Sequence, residues 1–324
     1  MIRKNFKFLS RALLAASVMI FAPGSQAANV PESTDPIKLA VNEWTGQHVS
    51  TYVAGEILAR MGYNVEYVTA GYYPQFIAMK DNNVTASLEV WMSNAGEHFH
   101  KGMDEGSIIS LGDLNLKGTE GWYYPKYVEA MCPGLPDWSA LLTCAEVLAA
   151  PDTFPQGRLV DYPTDWGTTN VNRINALKLD FVSVPSGSEG ALVTILQSAM
   201  AKKEPLLVQF WTPHWLHAVA EIDQVVLPPY EEGCEEDPSL SIDPNVAWDC
   251  AWSSKPIVKI AWPGMPDKWP VAYKFLQNYE MTNDHQIPML KAVDVDGGDA
   301  QAVSKAWVDA NEAVWKPWVD AAMN

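Results

Sequence analysis

The fold is decided by residues 37–91, IKLAVNEWTGQHVSTYVAGEILARMGYNVEYVTAGYYPQFIAMKDNNVTASLEVW. Apolar residues recur there at the spacing of a strand, then of a helix, then of a strand again. The predicted strands cover 37–41, 65–68 and 86–91, and the predicted helices cover 49–58 and 76–79. This alternation predicts an α/β protein with a doubly wound sheet. Ligands of such sheets bind beyond the carboxyl ends of the strands, where Trp44 and Trp91 stand.

The rest of the chain continues the alternation and predicts a second α/β unit. Further strands are predicted at 159–161, 206–211 and 257–262, and further helices at 171–177, 190–201, 269–279 and 300–323, the last broken near Pro317. We expect the second unit to be an insertion, so that residues 28–120 and 256–324 form lobe 1 and residues 121–255 form lobe 2. Two crossing segments would then join the lobes and leave a ligand cleft between them.

The composition is that of a folded globular protein. Of the 324 residues, 48% are hydrophobic and 19% are charged, which excludes a disordered chain. The formal net charge is −17, so the surface repels nucleic-acid phosphates and anionic lipid headgroups. We therefore expect no nucleic-acid partner.

Residues 1–27 have the pattern of a secretory signal peptide. Four basic residues and no acid precede an apolar run at 12–22, and Ser25 and Ala27 place small side chains before a cleavage site. A membrane anchor would need about 20 apolar residues, roughly twice this run. We expect cleavage after Ala27 and export of a soluble protein to the periplasm.

The four cysteines are expected to form two local disulfides. Cys132 and Cys144 are 12 residues apart, and Cys234 and Cys250 are 16 apart. Of the three possible pairings we favour these two local bridges, which suit an exported protein. A zinc site is the alternative, but neither pair has CxxC spacing and neither has a histidine nearby in the sequence.

Tryptophan is the main functional signal, with 14 in the chain. Trp91, Trp166 and Trp211 stand at strand ends or in loops, whereas core tryptophans more often lie within periodic elements. Aromatic faces attract a cation by about 0.5–2 kcal/mol for each contact, and they suit a quaternary ammonium group that has no hydrogen to donate. These three residues therefore predict an aromatic cage. Ordinary packing in the core or between the lobes is the alternative for each of them.

At these residues the sequence resembles the periplasmic binding proteins of ABC importers for glycine betaine, choline and related osmolytes. The turn Asp165-Trp166-Gly167 is similar to the family's GWG cage turn, and FWTPHW at 210–215 is similar to its WTPxW segment. The resemblance covers nearly the whole mature chain. It implies a two-lobed, type II-like binding protein that is not an enzyme and has an inner-membrane ABC permease as its partner. We expect it to be a monomer.

The resemblance also assigns further ligand contacts. They are the side chains of Trp44 and Trp122 as cage walls, and the backbone N–H groups of Gly167 and Thr168 for the ligand's anionic end. One departure concerns the ligand, because Ala95 stands where betaine binders carry a histidine that contacts the carboxylate. The missing partner favours a ligand without a carboxylate.

Glu43 and Glu89 flank two of the tryptophans and also favour a ligand without a carboxylate. A carboxylate beside the cage favours a cation such as choline, or, when burial protonates it, donates to the oxygen of trimethylamine N-oxide. The expected ligand is therefore trimethylamine N-oxide or a choline-like compound, with glycine betaine and dimethylsulfoniopropionate as alternatives. A solvated or structurally paired carboxylate is the alternative for each glutamate.

The acidic loop at 227–250 offers a weak calcium site. Glu235, Glu236 and Asp237 supply oxygen ligands, but they lack EF-hand spacing, and a solvated lid is the alternative. No other cofactor is expected. A carbohydrate-binding protein and a periplasmic enzyme stay open as other functions, although the sequence has no GxSxG, HExxH or glycine-rich phosphate loop.

Overall fold

The computed structural model describes residues 1–2, 30–167 and 169–324. The predicted signal peptide, apart from its first two residues, and Thr168 lie outside the described residues. Among the residues described, no helix is both long enough and apolar enough to span a bilayer.

The described chain alternates between strands and helices. The strands are β1 (Ile37–Val41), β2 (Val65–Thr69), β3 (Ala86–Trp91), β4 (Ile109–Asp113), β5 (Thr119–Pro125), β6 (Pro133–Pro136), β7 (Gly157–Asp161), β8 (Phe181–Pro185), β9 (Leu207–Thr212), β10 (Ile222–Gln224) and β11 (Ile257–Ala261). The α-helices are α1 (Thr45–Arg60), α2 (Pro74–Lys80), α3 (Gly96–Asp104), α4 (Thr169–Ala176), α5 (Glu189–Lys202), α6 (Met265–Lys268), α7 (Pro270–Asn278), α8 (Asn283–Asp294), α9 (Ala300–Ala310) and α10 (Glu312–Met323).

Two five-stranded sheets form the two lobes. The first sheet has the order β2-β1-β3-β11-β4 and the second has the order β10-β5-β9-β7-β8. In the first, β1 runs parallel to β2 and β3, and β11 returns antiparallel between β3 and β4. Because β11 follows every strand of the second sheet, the chain leaves the first lobe, builds the second and returns. The predicted two-lobed α/β fold is confirmed, while the boundaries 28–120, 121–255 and 256–324 stay a prediction.

The first lobe is built around β3 and α1. All six residues of β3 are buried because the strand lies at the centre of the sheet. Gly55 lets α1 approach the sheet closely, since a Cβ atom there would lie 2.3 Å from the Tyr67 hydroxyl. The helix ends before Gly62, whose φ of 96° suits a residue without a Cβ atom.

The second lobe has a core of its own and carries both disulfides. Its buried residues include Leu159, Phe181 and Leu207. Cys132 is bonded to Cys144, and Cys234 to Cys250, so the predicted local pairing is confirmed. The zinc alternative is wrong because all four sulfur atoms are used in these bonds.

The C-terminal region differs from the prediction in two places. The helix expected at 300–323 is interrupted at Asn311 rather than at Pro317, which lies inside α10. The Asn311 side chain donates to the Trp307 carbonyl at 2.8 Å, which supplies a partner for that helix end. Helix α8, which contains Pro288, was not predicted from the sequence.

Candidate functional site

The two lobes meet over a small cavity with a mostly aromatic wall. Its volume is about 40 Å³. The wall consists of Trp44, Tyr72, Trp91, Asn94, Glu120, Tyr162, Trp166 and Trp211. The rings pack edge to face. The Trp44 and Trp166 centroids are 5.3 Å apart across the lobe boundary, and the Trp166 and Trp211 centroids are 5.8 Å apart within the second lobe. Rings gathered in this way attract a cation through their negative faces.

In the first lobe, Glu89 anchors two of the indoles. Residues two apart on a strand point to the same face, so Glu89 and Trp91 lie together on β3. The Glu89 carboxylate accepts from Trp44 Nε1 at 2.7 Å and from Trp91 Nε1 at 3.1 Å. Ser50 Oγ and Gln286 Nε2 also donate to it, each at 2.8 Å. Burial raises the pKa of Glu89, against the opposing effect of these four hydrogen bonds.

In the second lobe, Trp166 stands on a short turn that both lobes hold. Its Nε1 donates across the lobe boundary to Glu43 Oε2 at 2.9 Å, and Asn94 Nδ2 donates to its carbonyl oxygen. Gly167 follows with a φ of 130°, a conformation that disfavours any side chain. A Cβ atom there would lie 2.6 Å from the Tyr73 hydroxyl, so the turn also needs glycine for space.

Trp211 reaches the cavity from the carboxyl end of β9. Its ring stacks on Phe210 with the centroids 4.9 Å apart. The Trp211 carbonyl oxygen lies 2.9 Å from His217 Nε2 and forms a hydrogen bond with it. Trp211 is therefore fixed by both its ring and its backbone.

Glu120 is the one carboxyl in the cavity wall of the described chain. Tyr162 Oη donates to Glu120 Oε1 and Ser93 Oγ donates to Glu120 Oε2. Gln209 Nε2 donates to the Tyr162 hydroxyl at 2.6 Å, which directs the phenol proton toward Glu120. Burial raises the pKa of Glu120, while the two hydrogen bonds and the charge of Arg173 partly offset this rise. The site thus holds a carboxyl that favours its neutral form more than an exposed one does.

Comparison with known families identifies the chain. The family model OpuAC, the substrate binding domain of ABC-type glycine betaine transport systems, matches residues 35–310. The chain belongs to this family. The resemblance noted from the cage motifs is therefore confirmed, and the OpuAC family consists of solute-binding domains of transport systems.

Individual relatives agree with the OpuAC assignment. A trimethylamine N-oxide-binding protein from Pelagibacter ubique is 31% identical over 314 residues, covering 94% of this chain and 96% of the relative. A choline-binding protein of an ABC transporter, solved with choline, has a TM-score of 0.72 at 18% identity and covers 90% of this chain and 93% of its own. A glycine betaine, L-proline-binding protein from Borrelia burgdorferi has a TM-score of 0.70 at 18% identity, with coverages of 88% and 97%. The two solved structures share the fold.

Most of the predicted contacts of this OpuAC-family chain gather at the cavity. Trp44, Trp91, Trp166 and Trp211 line it. Neither Glu43 nor Glu89 lines it: Glu89 is buried and Glu43 is exposed, and each accepts a hydrogen bond from an indole nitrogen. Partial burial raises the pKa of Glu43, the Trp166 hydrogen bond lowers it, and nearby Asp165 raises it further. Gly167 shapes the cage turn without lining the cavity, and Thr168 lies outside the described residues.

Trp122 does not reach the cavity, so its expected role as a cage wall is wrong. Its indole is fully buried in the core of the second lobe, 6.1 Å from the ring of Trp252. Its Nε1 donates to Asn170 Oδ1 at 2.7 Å. Trp122 lies two residues beyond Glu120 on β5, about 7 Å further along the strand, and this places it beneath α4.

The three calcium candidates of the acidic loop do not converge on one point. Glu235 pairs with a buried arginine at 2.5 Å, Asp237 accepts from a backbone N–H at 2.9 Å, and Glu236 is exposed. The expected calcium site is not formed. Within the described residues, the side chains close enough to hold a metal together are instead Glu189, His214 and Asp294.

Four residues of the wall were not predicted from the sequence: Tyr72, Asn94, Glu120 and Tyr162. Two of them carried a usable signal, since Asn94 and Tyr162 follow the carboxyl ends of predicted strands, where ligands of α/β sheets bind. Glu120 carried no such sequence signal, because it lies at the start of a strand, where the chain passes between the lobes.

Proposed function

We propose that this protein is an extracytoplasmic, periplasmic solute-binding protein that captures trimethylamine N-oxide and delivers it to an ABC permease of the inner membrane. It acts as a monomer and makes or breaks no covalent bond. The observation that carries the choice of ligand is the neutral-favouring carboxyl of Glu120 inside an aromatic wall. The name of the Pelagibacter relative supports the same ligand.

The aromatic wall suits the trimethylammonium part of the ligand. Methyl groups on a positive nitrogen cannot donate ordinary hydrogen bonds, so ring faces are their best partners in a site that excludes water. Four indoles and two phenols supply these faces. Glu89 fixes the indole nitrogens of Trp44 and Trp91 within the first lobe, which reduces the entropy lost on association, and Glu43 holds Trp166 across the lobe boundary.

The polar part of the wall suits an N-oxide oxygen better than a carboxylate. Among the described residues, none of the eight that line the cavity carries a positive charge. A ligand carboxylate would therefore lie near Glu120 without a counter-charge, which disfavours glycine betaine and dimethylsulfoniopropionate. An N-oxide oxygen accepts hydrogen bonds, and protonated Glu120 offers one O–H to donate.

The size of the cavity supports the smallest of these ligands. A bound water needs about 10–15 Å³, so a cavity of about 40 Å³ has room for roughly three waters. Trimethylamine N-oxide has fewer atoms than choline, glycine betaine or dimethylsulfoniopropionate, so it needs the least rearrangement of the wall.

Choline is the second candidate, and Glu120 is also the observation that favours it. Ionised Glu120 would offset the charge of a permanent cation and accept a hydrogen bond from its hydroxyl. The two candidates thus require opposite protonation states of one side chain.

The test is isothermal titration of the mature protein with trimethylamine N-oxide, choline, glycine betaine, dimethylsulfoniopropionate and glucose. We expect the tightest binding for trimethylamine N-oxide and no heat with glucose. Trp211→Ala removes a wall residue, and Trp307→Ala on α9, which does not line the cavity, is the matched control. Tightest binding of glycine betaine, or silence from every methylated compound, would contradict the proposal.

A further inference from the structure

Two buried side chains and one exposed carboxylate meet at the lobe boundary outside the cavity wall. Glu189 begins α5 and His214 follows β9, both in the second lobe, while Asp294 ends α8 in the first. One oxygen or nitrogen atom from each lies within 4.8 Å of the others. Glu189 is 6% exposed and His214 is 3% exposed. The ligand function proposed above does not use them.

Each carboxylate of this cluster accepts a hydrogen bond from the opposite lobe. The Thr45 backbone N–H of the first lobe donates to Glu189 Oε2 at 2.7 Å. Trp215 Nε1 of the second lobe donates to Asp294 Oδ2 at 2.8 Å. Thr45 Oγ1 also donates to Asp294 Oδ1 at 2.7 Å, which ties the two carboxylates to one residue. Because both cross-lobe bonds end on acids, they belong to the stronger class of hydrogen bonds.

The histidine makes this cluster a contact between lobes rather than a metal site. His214 Nδ1 accepts from the Leu216 backbone N–H at 3.1 Å, so the ring of neutral His214 carries its proton on Nε2. A metal would need the lone pair of Nε2, which that proton occupies. Nε2 lies 3.3 Å from Glu189 Oε1 in a geometry that falls short of a hydrogen bond. The N–H group therefore adds a weak attraction to Glu189.

The cluster lies directly beside the cage. Thr45 follows Trp44 in the chain, and the His214 ring lies 5.7 Å from the ring of Trp211, edge to face. We propose that Glu189 and Asp294 are positioning residues that form a latch between the lobes, hold the closed cage together and set the rate of ligand release. They do not touch the ligand, and the proposal rests on the methylated-onium function given above.

The first experiment separates release from capture. Stopped-flow tryptophan fluorescence with trimethylamine N-oxide should give a dissociation rate about tenfold higher in Glu189→Ala, because a charge-assisted bond of the closed state is lost. The association rate should stay within twofold, since the open protein captures the ligand before the latch forms. Glu189→Gln keeps an oxygen for the Thr45 N–H and should release the ligand at an intermediate rate. Glu236→Ala, which removes the same charge from the exposed acidic loop, should behave like the wild type.

Trp215→Phe removes the second cross-lobe bond and keeps the aromatic ring. It should also raise the dissociation rate, and it tests the latch even if Glu189→Ala does not fold. Dissociation rates equal to that of the wild type in both variants, or a loss of affinity that lies wholly in the association rate, would overturn the latch.

A second measurement needs no ligand. All four cysteines are in disulfides, so spin labels can be placed at Glu66→Cys on the first lobe and Lys202→Cys on the second, both exposed positions. The ligand-free protein should show a closed population that shrinks in Glu189→Ala. If no methylated compound binds, the ligand proposal fails while these distances still test the latch. A wild type with no closed population, or equal distances in both proteins, would overturn it.

Discussion

The pH dependence of binding should reveal the protonation state of Glu120. Burial raises the pKa of this carboxyl in the free protein, and a bound N-oxide oxygen, which needs a donor, raises it further. The affinity for trimethylamine N-oxide is therefore highest and constant below the pKa of Glu120 in the free protein. It falls as the pH rises above that pKa. In Glu120→Gln the amide donates at every pH, so the profile should be flat.

The magnitude follows from the number of groups that titrate in the cavity. Glu120 is the one carboxyl lining it in the described chain, and burial raises the pKa values of Tyr72 and Tyr162 well above the usual range of tyrosine. One proton therefore accompanies binding. Above the pKa of free Glu120, the affinity should fall tenfold for each pH unit, which is about 1.36 kcal/mol.

Calorimetric titrations from pH 5 to pH 9 measure this slope. Repeating them in buffers of different ionisation enthalpy gives the number of protons taken up on binding. Glu236→Gln, a change of the same charge on the exposed acidic loop, should keep the slope of the wild type. A flat or rising profile for trimethylamine N-oxide would refute the reasoning. Choline should show the opposite trend, since a permanent cation prefers ionised Glu120.

The cage and the residues that support it can be tested one side chain at a time. Trp166→Ala should weaken ligand binding at least tenfold, about 1.4 kcal/mol by calorimetry, and an unchanged affinity would contradict the cage. Trp122→Phe should leave the affinity within twofold but lower the free energy of unfolding in urea by about 1–3 kcal/mol, because Asn170 loses a buried donor. A tenfold loss of affinity would instead indicate that Trp122 contacts the ligand. Glu89→Ala should lower the free energy of unfolding by about 2 kcal/mol or more, since it leaves two indole N–H groups without an acceptor, and a change below 0.5 kcal/mol would show that water replaces the carboxylate.

Part of the site could be predicted because its residues stand at recognisable points of single elements. Trp91 and Trp211 lie at the carboxyl ends of strands, and Trp166 lies in a glycine turn. Their positions in the sequence were therefore enough to predict a shared site. The role of Glu89 was harder to predict. Strand alternation placed it beside Trp91, but its bond to Trp44 depends on how α1 packs on β3. The sequence therefore predicted its neighbour but not its function as an anchor.

The sequence by itself determined the alternating elements, the two disulfides and the three central tryptophans, because each depends on periodicity or spacing within a short segment. Only the tertiary structure decided that Glu120 lines the cavity while Trp122 lies beneath α4, and that Glu189 meets Thr45 across the lobes. These contacts join segments up to 144 residues apart. Their geometry depends on sheet register and lobe closure. The free energy of the whole chain determines both of these, so no local sequence pattern predicts them.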